Sequence, residues 1–163
     1  MCEPPTLSKK DWKKSLKENF KFKIIEKPED IPENALWTTS CSKTKKIKQG
    51  VPKDLYQGKT QKIFYKYMEK FNLKYGILSD KYGIHMYNEC LPYYDIHPNE
   101  LSTETKKDLG KVVRQKVKKH GFDKIIFYYN SPLFSQPYFQ ILYFSQLPIY
   151  YTTSIKILQN FRR

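Results

Sequence analysis

Residues 124–129, Lys-Ile-Ile-Phe-Tyr-Tyr, make an apolar run of strand length with no water-facing side. A run this short and this apolar predicts a strand covered on both faces, as in a parallel sheet between layers of helix. Its neighbours fit that setting. Residues 101–121 predict a long helix: Ser102 as N-cap, Leu109, Val112, Val113 and Val117 as the apolar face, and Gly121 as the stop. Residues 56–72 predict another, with Ile63, Phe64, Tyr67, Met68 and Phe71 recurring at helical spacing. Ala-Leu-Trp-Thr-Thr-Ser (35–40) and Tyr-Gly-Ile-Leu-Ser (75–79) read as strands, and residues 148–153 as a last strand before a short C-terminal helix. Strands separated by helices require right-handed crossovers. The expected fold is α/β: a mostly parallel sheet flanked by helices, in three layers.

Two regions are expected. Residues 1–35 read as an N-terminal accessory piece. It holds a short amphipathic helix with Ser8 as N-cap and Trp12, Leu16 and Phe20 on one side, then a proline-containing acidic loop. Residues 36–163 read as one α/β domain.

In an open parallel sheet, ligands bind beyond the carboxyl ends of the strands. Here those ends carry chemistry. The first strand runs into Cys41-Ser42-Lys43-Thr44, the second into Asp80-Lys81-Tyr82-Gly83 after Ser79, and the third into Asn130-Ser131-Pro132. Such residues also serve as ordinary turns and caps. Their recurrence at three successive strand ends predicts a shared site.

Charge narrows the partner. Lys and Arg number 30 against 16 Asp and Glu, a net charge of +14. A surplus this size repels itself and is relieved by a polyanion, so nucleic acid is expected; a solvated basic surface and an anionic membrane surface are the alternatives. No apolar run reaches the roughly 20 residues of a spanning helix, and residues 1–20 have no apolar core of a secretory signal. No membrane association and a cytoplasmic location are expected. Cys2, Cys41 and Cys90 form neither a disulfide framework nor a zinc set. His85 and His97 stand alone, and no phosphate-binding or dinucleotide glycine motif is present, so no metal and no cofactor are expected. The lysines of residues 43–48 lie beside the first strand end; Lys45, Lys46 and Lys48 are the candidates for nucleic-acid backbone contacts. Tyr93 and Tyr94, next to Asp95 in a proline-flanked loop, could stack on a base, whereas the second half of 127–144 reads as aromatic core.

The order Thr-Ser-Cys-Ser-Lys-Thr-Lys, Leu-Tyr-Gln-Gly-Lys, Leu-Ser-Asp-Lys-Tyr-Gly, Pro-Tyr-Tyr-Asp-Ile and Tyr-Asn-Ser-Pro resembles a family of small uncharacterised α/β proteins. The same skeleton is similar to the YaaA family of DNA-binding peroxide-stress proteins. It is also similar to the core domain of archaeosine synthase, a relative of tRNA-guanine transglycosylase. A YaaA-like loop has no cysteine where Cys41 stands. The resemblance covers residues 36–140 and implies a nucleobase or nucleic-acid context. It carries over to Ser40, Cys41, Ser42, Lys43 and Thr44, to Tyr56 and Gly58, to Ser79, Tyr82 and Gly83, to Tyr94 and Asp95, and to Asn130. With Lys81 and Ser131 from the strand ends, these make the expected substrate-binding set.

Three residues carry the expected chemistry. Lys43, among other lysines, could lose its proton and act as a nucleophile, or bind phosphate. Cys41 could be a thiolate activated by those lysines, or a buried structural thiol. Asp95 could act as a base, read the amino edge of a purine, or cap a turn. The expected function is recognition or modification of a nucleobase in tRNA or DNA. The alternatives are a non-catalytic DNA-binding stress protein and a subunit that docks a partner protein of a tRNA-modification complex.

Overall fold

A computed structural model describes residues 3–42, 45, 49–95, 101–134 and 136–160. Six strands form one sheet in the order β1-β6-β5-β2-β3-β4. β2 (Ala35–Ser40), β3 (Tyr75–Ser79), β5 (Lys124–Tyr128) and β6 (Ile149–Thr152) are parallel, with Trp37 opposite Tyr75 and Thr38 opposite Phe127. β1 (Lys23–Ile24) extends one edge in parallel, and β4 (Gly83–Met86) closes the other edge antiparallel. The chain leaves β2 toward β3, then returns to place β5 on its other side. The β2–β5 boundary is therefore the point where strand order reverses, the place where this architecture opens a crevice.

Successive residues of β5 point to opposite faces, and the helices divide accordingly. Tyr128 stacks on Phe64 of α3 (Lys59–Lys70), while Phe127 meets Phe139 of α5 (Gln136–Ser145) edge-on at 5.4 Å. α4 (Thr103–Lys119) packs on α5. The expected three-layer α/β sandwich is the observed fold.

The two expected long helices end as their sequences dictate. Ser102 Oγ accepts from Thr105 N at 3.1 Å to start α4, and Gly121, at φ +89°, stops it. Asn72 takes the same left-handed position after α3, and Leu73 N donates to Met68 O at 2.8 Å to close the last turn. The start of α3 differs from expectation. Residues 56–58 lie outside the helix because Tyr56 is drawn into the core, and a separate short turn, α2 (Pro52–Leu55), precedes it.

Besides β1 and α2, two elements that shape the site are absent from the sequence expectations. β4 follows β3 through the tight turn Asp80–Tyr82, and Gly83, at φ +75°, supplies the backbone conformation the return requires. α5 shows no apolar stripe because it is buried on most sides, between α4 and the sheet. The N-terminal segment forms a helical turn, α1 (Trp12–Lys14), capped by Asp11 rather than Ser8, that passes into a π-helical turn over Ser15–Asn19. Leu16, Phe20, Phe22 and Ile25 enter the same core as the sheet.

Gly110 permits the close approach of α4 to α5. A Cβ there would stand 2.7 Å from the backbone carbon of Phe144 and 2.9 Å from Ile141 O. Gly110→Ala is expected to force the helices apart and cost about 1–3 kcal/mol, read as a fall of roughly 2–12 °C in Tm. An unchanged or raised Tm would contradict this packing.

Candidate functional site

The end of β2 and the end of β3 meet. Cys41 follows β2, and its N–H donates to Leu78 O at 2.8 Å, so the parallel ladder carries one residue past the strand. Its sulfur lies 3.6 Å from Asp80 Oδ1 and 3.1 Å from the hydroxyl of Tyr138, in the first turn of α5. All three side chains are buried; Asp80 is 2 % exposed. Asp80 Oδ2 has no hydrogen-bond partner among the described residues. An unsatisfied buried carboxyl oxygen is costly, on the order of 1–3 kcal/mol.

Burial pushes the Asp80 carboxyl above the usual carboxylate range, against the opposing pull of the Lys45 ammonium. Burial and then the Asp80 charge push the Cys41 thiol up as well. Of the two readings open for Cys41, the structure favours the buried structural thiol: desolvation and a neighbouring acid outweigh the nearby lysine and keep it neutral. Cys90, by contrast, is exposed. In the native protein at neutral pH, Cys90 is expected to be alkylated well before Cys41, as mapped by peptide mass spectrometry. Preferential labelling of Cys41 would contradict a neutral, buried thiol.

Beside this pair runs a chain of hydroxyls whose direction can be derived. His85 Nε2 lies 2.6 Å from Glu89 O, a carbonyl that only accepts, so Nε2 carries the proton. Burial holds the imidazole below its usual pKa and hence neutral. Nδ1 is therefore an acceptor, and Tyr56 donates to it at 3.3 Å. Tyr94 then donates to Tyr56 at 3.2 Å, and Ser79 Oγ donates to Tyr94 at 2.7 Å. Ser79 Oγ in turn accepts from the N–H groups of Lys81 and Tyr82, fixing the β3–β4 turn that holds Asp80. The Glu89 carboxylate, which accepts from Met86 N and Lys116 Nζ, braces the far end.

The loop after β2 is anchored from α3. Gln61 Nε2 donates to Ser40 O at 2.7 Å, and Gly58 N, at the helix start, donates to Ser42 Oγ at 3.3 Å. Lys45 pairs by backbone with Tyr56, and its Nζ stands 4.8 Å from the centre of the Tyr94 ring. One member of the lysine cluster thus lies at the site.

The structure gathers Ser40, Cys41, Ser42, Lys45, Tyr56, Gly58, Ser79 and Tyr94 around one strand-end cluster. Lys81 is exposed beside Tyr82, whose hydroxyl donates to Pro92 O at 2.8 Å; Gly83 begins β4. Asn130 and Asp95 are exposed and Ser131 is half-buried. The segment after β5 reaches the cluster through Tyr138 instead. Lys43, Thr44, Lys46 and Lys48 lie outside the described residues, as do Cys2 and His97. Asp80 stands in the second strand end but carries no assigned role there, and His85, Gln61 and Tyr138 are not among the expected site residues. The signal for Asp80 is its place directly after the wholly buried strand 75–79, whereas Tyr138 sits in an aromatic run that reads as core. Among the described residues no group of three His, Cys, Asp or Glu could hold a metal, and no helix is long and apolar enough to cross a membrane.

Fold and cluster together define a three-layer α/β protein with a buried acid–thiol–phenol cluster at the carboxyl ends of β2 and β3. The chain belongs to DUF6884, a family of unknown function, whose model matches residues 37–144, the span from β2 to α5. No curated protein and no solved structure matches the chain.

Proposed function

We propose that this protein binds nucleic acid and recognises a nucleobase at the strand-end cluster, in the setting of tRNA or DNA base modification. The observation that carries this reading is Asp80: a buried carboxyl group whose Oδ2 has no described partner, beside a thiol that also contacts the Tyr138 hydroxyl. Such an oxygen is matched by an N–H donor, and the amino and ring N–H groups of a base edge supply one. Tyr94 is buried in the same cluster, with the Lys45 ammonium 4.8 Å from its ring centre, so aromatic and cationic groups lie together there. A net charge of +14 supplies the affinity for phosphate that would bring the polymer to the site.

The neutral thiol favours recognition over covalent attack in the resting protein. A purely binding role, as in a DNA-associated stress protein, is accordingly the second reading. The first test is affinity for tRNA, single-stranded DNA and duplex DNA over a salt series. The expected result is binding whose logarithm falls linearly with the logarithm of salt. Absence of salt-dependent affinity for all three would sink both readings. Turnover assays on Lys43→Ala and Asp80→Asn then separate them: an enzyme loses turnover while retaining backbone affinity.

A further inference from the structure

We propose a second nucleic-acid subsite, separate from the strand-end cluster, that takes one base-plus-phosphate unit of a single strand. It is a cleft of about 540 Å³ between the N-terminal segment, α4 and α5, lined by Phe20, Lys21, Lys107, Lys111, Tyr143 and Phe144 among others. That volume falls within the roughly 300–1,000 Å³ of small-ligand sites. The cleft lies where β1 and β6 begin, the end of those parallel strands opposite to that at which Cys41 and Asp80 sit.

Its chemistry is one-sided. Three lysines and no carboxylate are among the described residues that line it. Lys107 Nζ stands 5.7 Å from the Phe144 ring, and its nearest acid, Glu104 at 3.8 Å, is well exposed and weakly held. Tyr143, an aromatic residue left 36 % exposed, is steadied by edge contacts to Phe20 and Phe144, with rings at 88° and 73°. Lys21 and Gln146 both take left-handed backbone conformations, φ +63° and +60°, at helix ends where glycine is usual. Each therefore sets a polar side chain on the rim. Phosphate on lysine and a base on tyrosine are the two halves of sequence-tolerant single-strand binding. A duplex keeps its bases stacked and offers only the first half.

The inference rests on the reading that the chain binds nucleic acid, and the test separates the two. Anisotropy of labelled oligo-uridine, oligo-thymidine and a duplex is measured for wild type, Tyr143→Ala, Tyr143→Phe, and the double variant Lys21→Gln with Lys111→Gln. Free uridine monophosphate as competitor shows whether the polymer is needed. Tyr143→Ala is expected to lose about 5–100-fold in single-strand affinity with an unchanged salt slope. Tyr143→Phe should keep the wild-type affinity. The double lysine variant should flatten the slope by about 0.7 per lost phosphate contact. Oligo-uridine bound over oligo-thymidine, or the reverse, identifies the natural strand. If single strands bind and both Tyr143→Ala and the lysine variant match wild type, the cleft is no subsite, whatever Asp80 does. If Tyr143→Ala loses affinity while Asp80→Asn does not, the subsite stands and the strand-end reading falls.

Discussion

Phe139→Ala is expected to lower stability by about 3–5 kcal/mol, a fall of roughly 6–20 °C in Tm for a chain of this size. Phe139 is wholly buried, and its ring contacts come from three separate parts of the chain. Phe127 of β5 lies at 5.4 Å, Tyr151 of β6 at 5.1 Å, and Phe20 and Phe22 of the N-terminal segment at 6.0 and 6.3 Å. Four aromatic neighbours cannot collapse onto a methyl group, so a cavity remains and its lining loses dispersion contacts. Because two of those rings belong to residues before β1, the variant should also loosen that segment, seen as faster amide exchange at Phe22 and Ile25. Leu133→Ala, at an exposed site, is the control and should change stability by no more than about 0.5 kcal/mol. A Phe139→Ala protein as stable as this control would mean that the N-terminal segment, α5 and the sheet do not share one core.

The second large effect is expected at Asp80, and it has opposite signs for stability and for binding. Burial raises the Asp80 pKa in the folded chain. Between the unfolded carboxyl's pKa, about 4, and the raised folded value, the native state holds more protons than the unfolded state. Stability therefore falls as pH rises through that window. Asp80→Asn removes the titration and the cost of a charged, unpartnered oxygen. The variant should be more stable than wild type at neutral pH by about 1–3 kcal/mol. Its melting temperature should also lose the decline with rising pH that Asp80 causes. The same change replaces the acceptor at Oδ2, so affinity for the recognised base should drop about 10–100-fold. Gain of stability with loss of function is the signature of a strained binding site. Loss of stability on Asp80→Asn would show instead that the carboxyl is a structural anchor.

How much of this could be read beforehand depends on what each residue's neighbours in sequence reveal. β2, β3 and β5 were legible within a residue or so because strand-length apolar runs stood between amphipathic helices with clear caps. β4 was not, since four residues with His85 in their midst, entered through Asp-Lys-Tyr-Gly, look like a continuing loop. α5 was not, because a helix buried on most sides has no polar stripe to give it a period. The site divides in the same way. Cys41, Ser79 and Tyr94 follow from strand ends and a compact loop. Asp80 and Asp95 are both acids after apolar or aromatic stretches, and only the antiparallel return of β4 buries one and leaves the other exposed. His85 looks isolated in the sequence because Tyr56 reaches it only through the fold, and Glu89, four residues on, meets it with a backbone carbonyl that no residue type signals.

The central claim is that the strand-end carboxyl reads a base while lysines elsewhere hold phosphates, and one measurement separates these two contributions. Affinity of wild type and of Asp80→Asn for the same single-stranded and tRNA ligands is followed as salt is raised. The account predicts two parallel lines, equal in slope because the phosphate contacts are untouched, with the Asp80→Asn line displaced to weaker binding at every salt concentration. Coincident lines would show that Asp80 touches no part of the nucleic acid, and the strand-end site would have to be given another ligand.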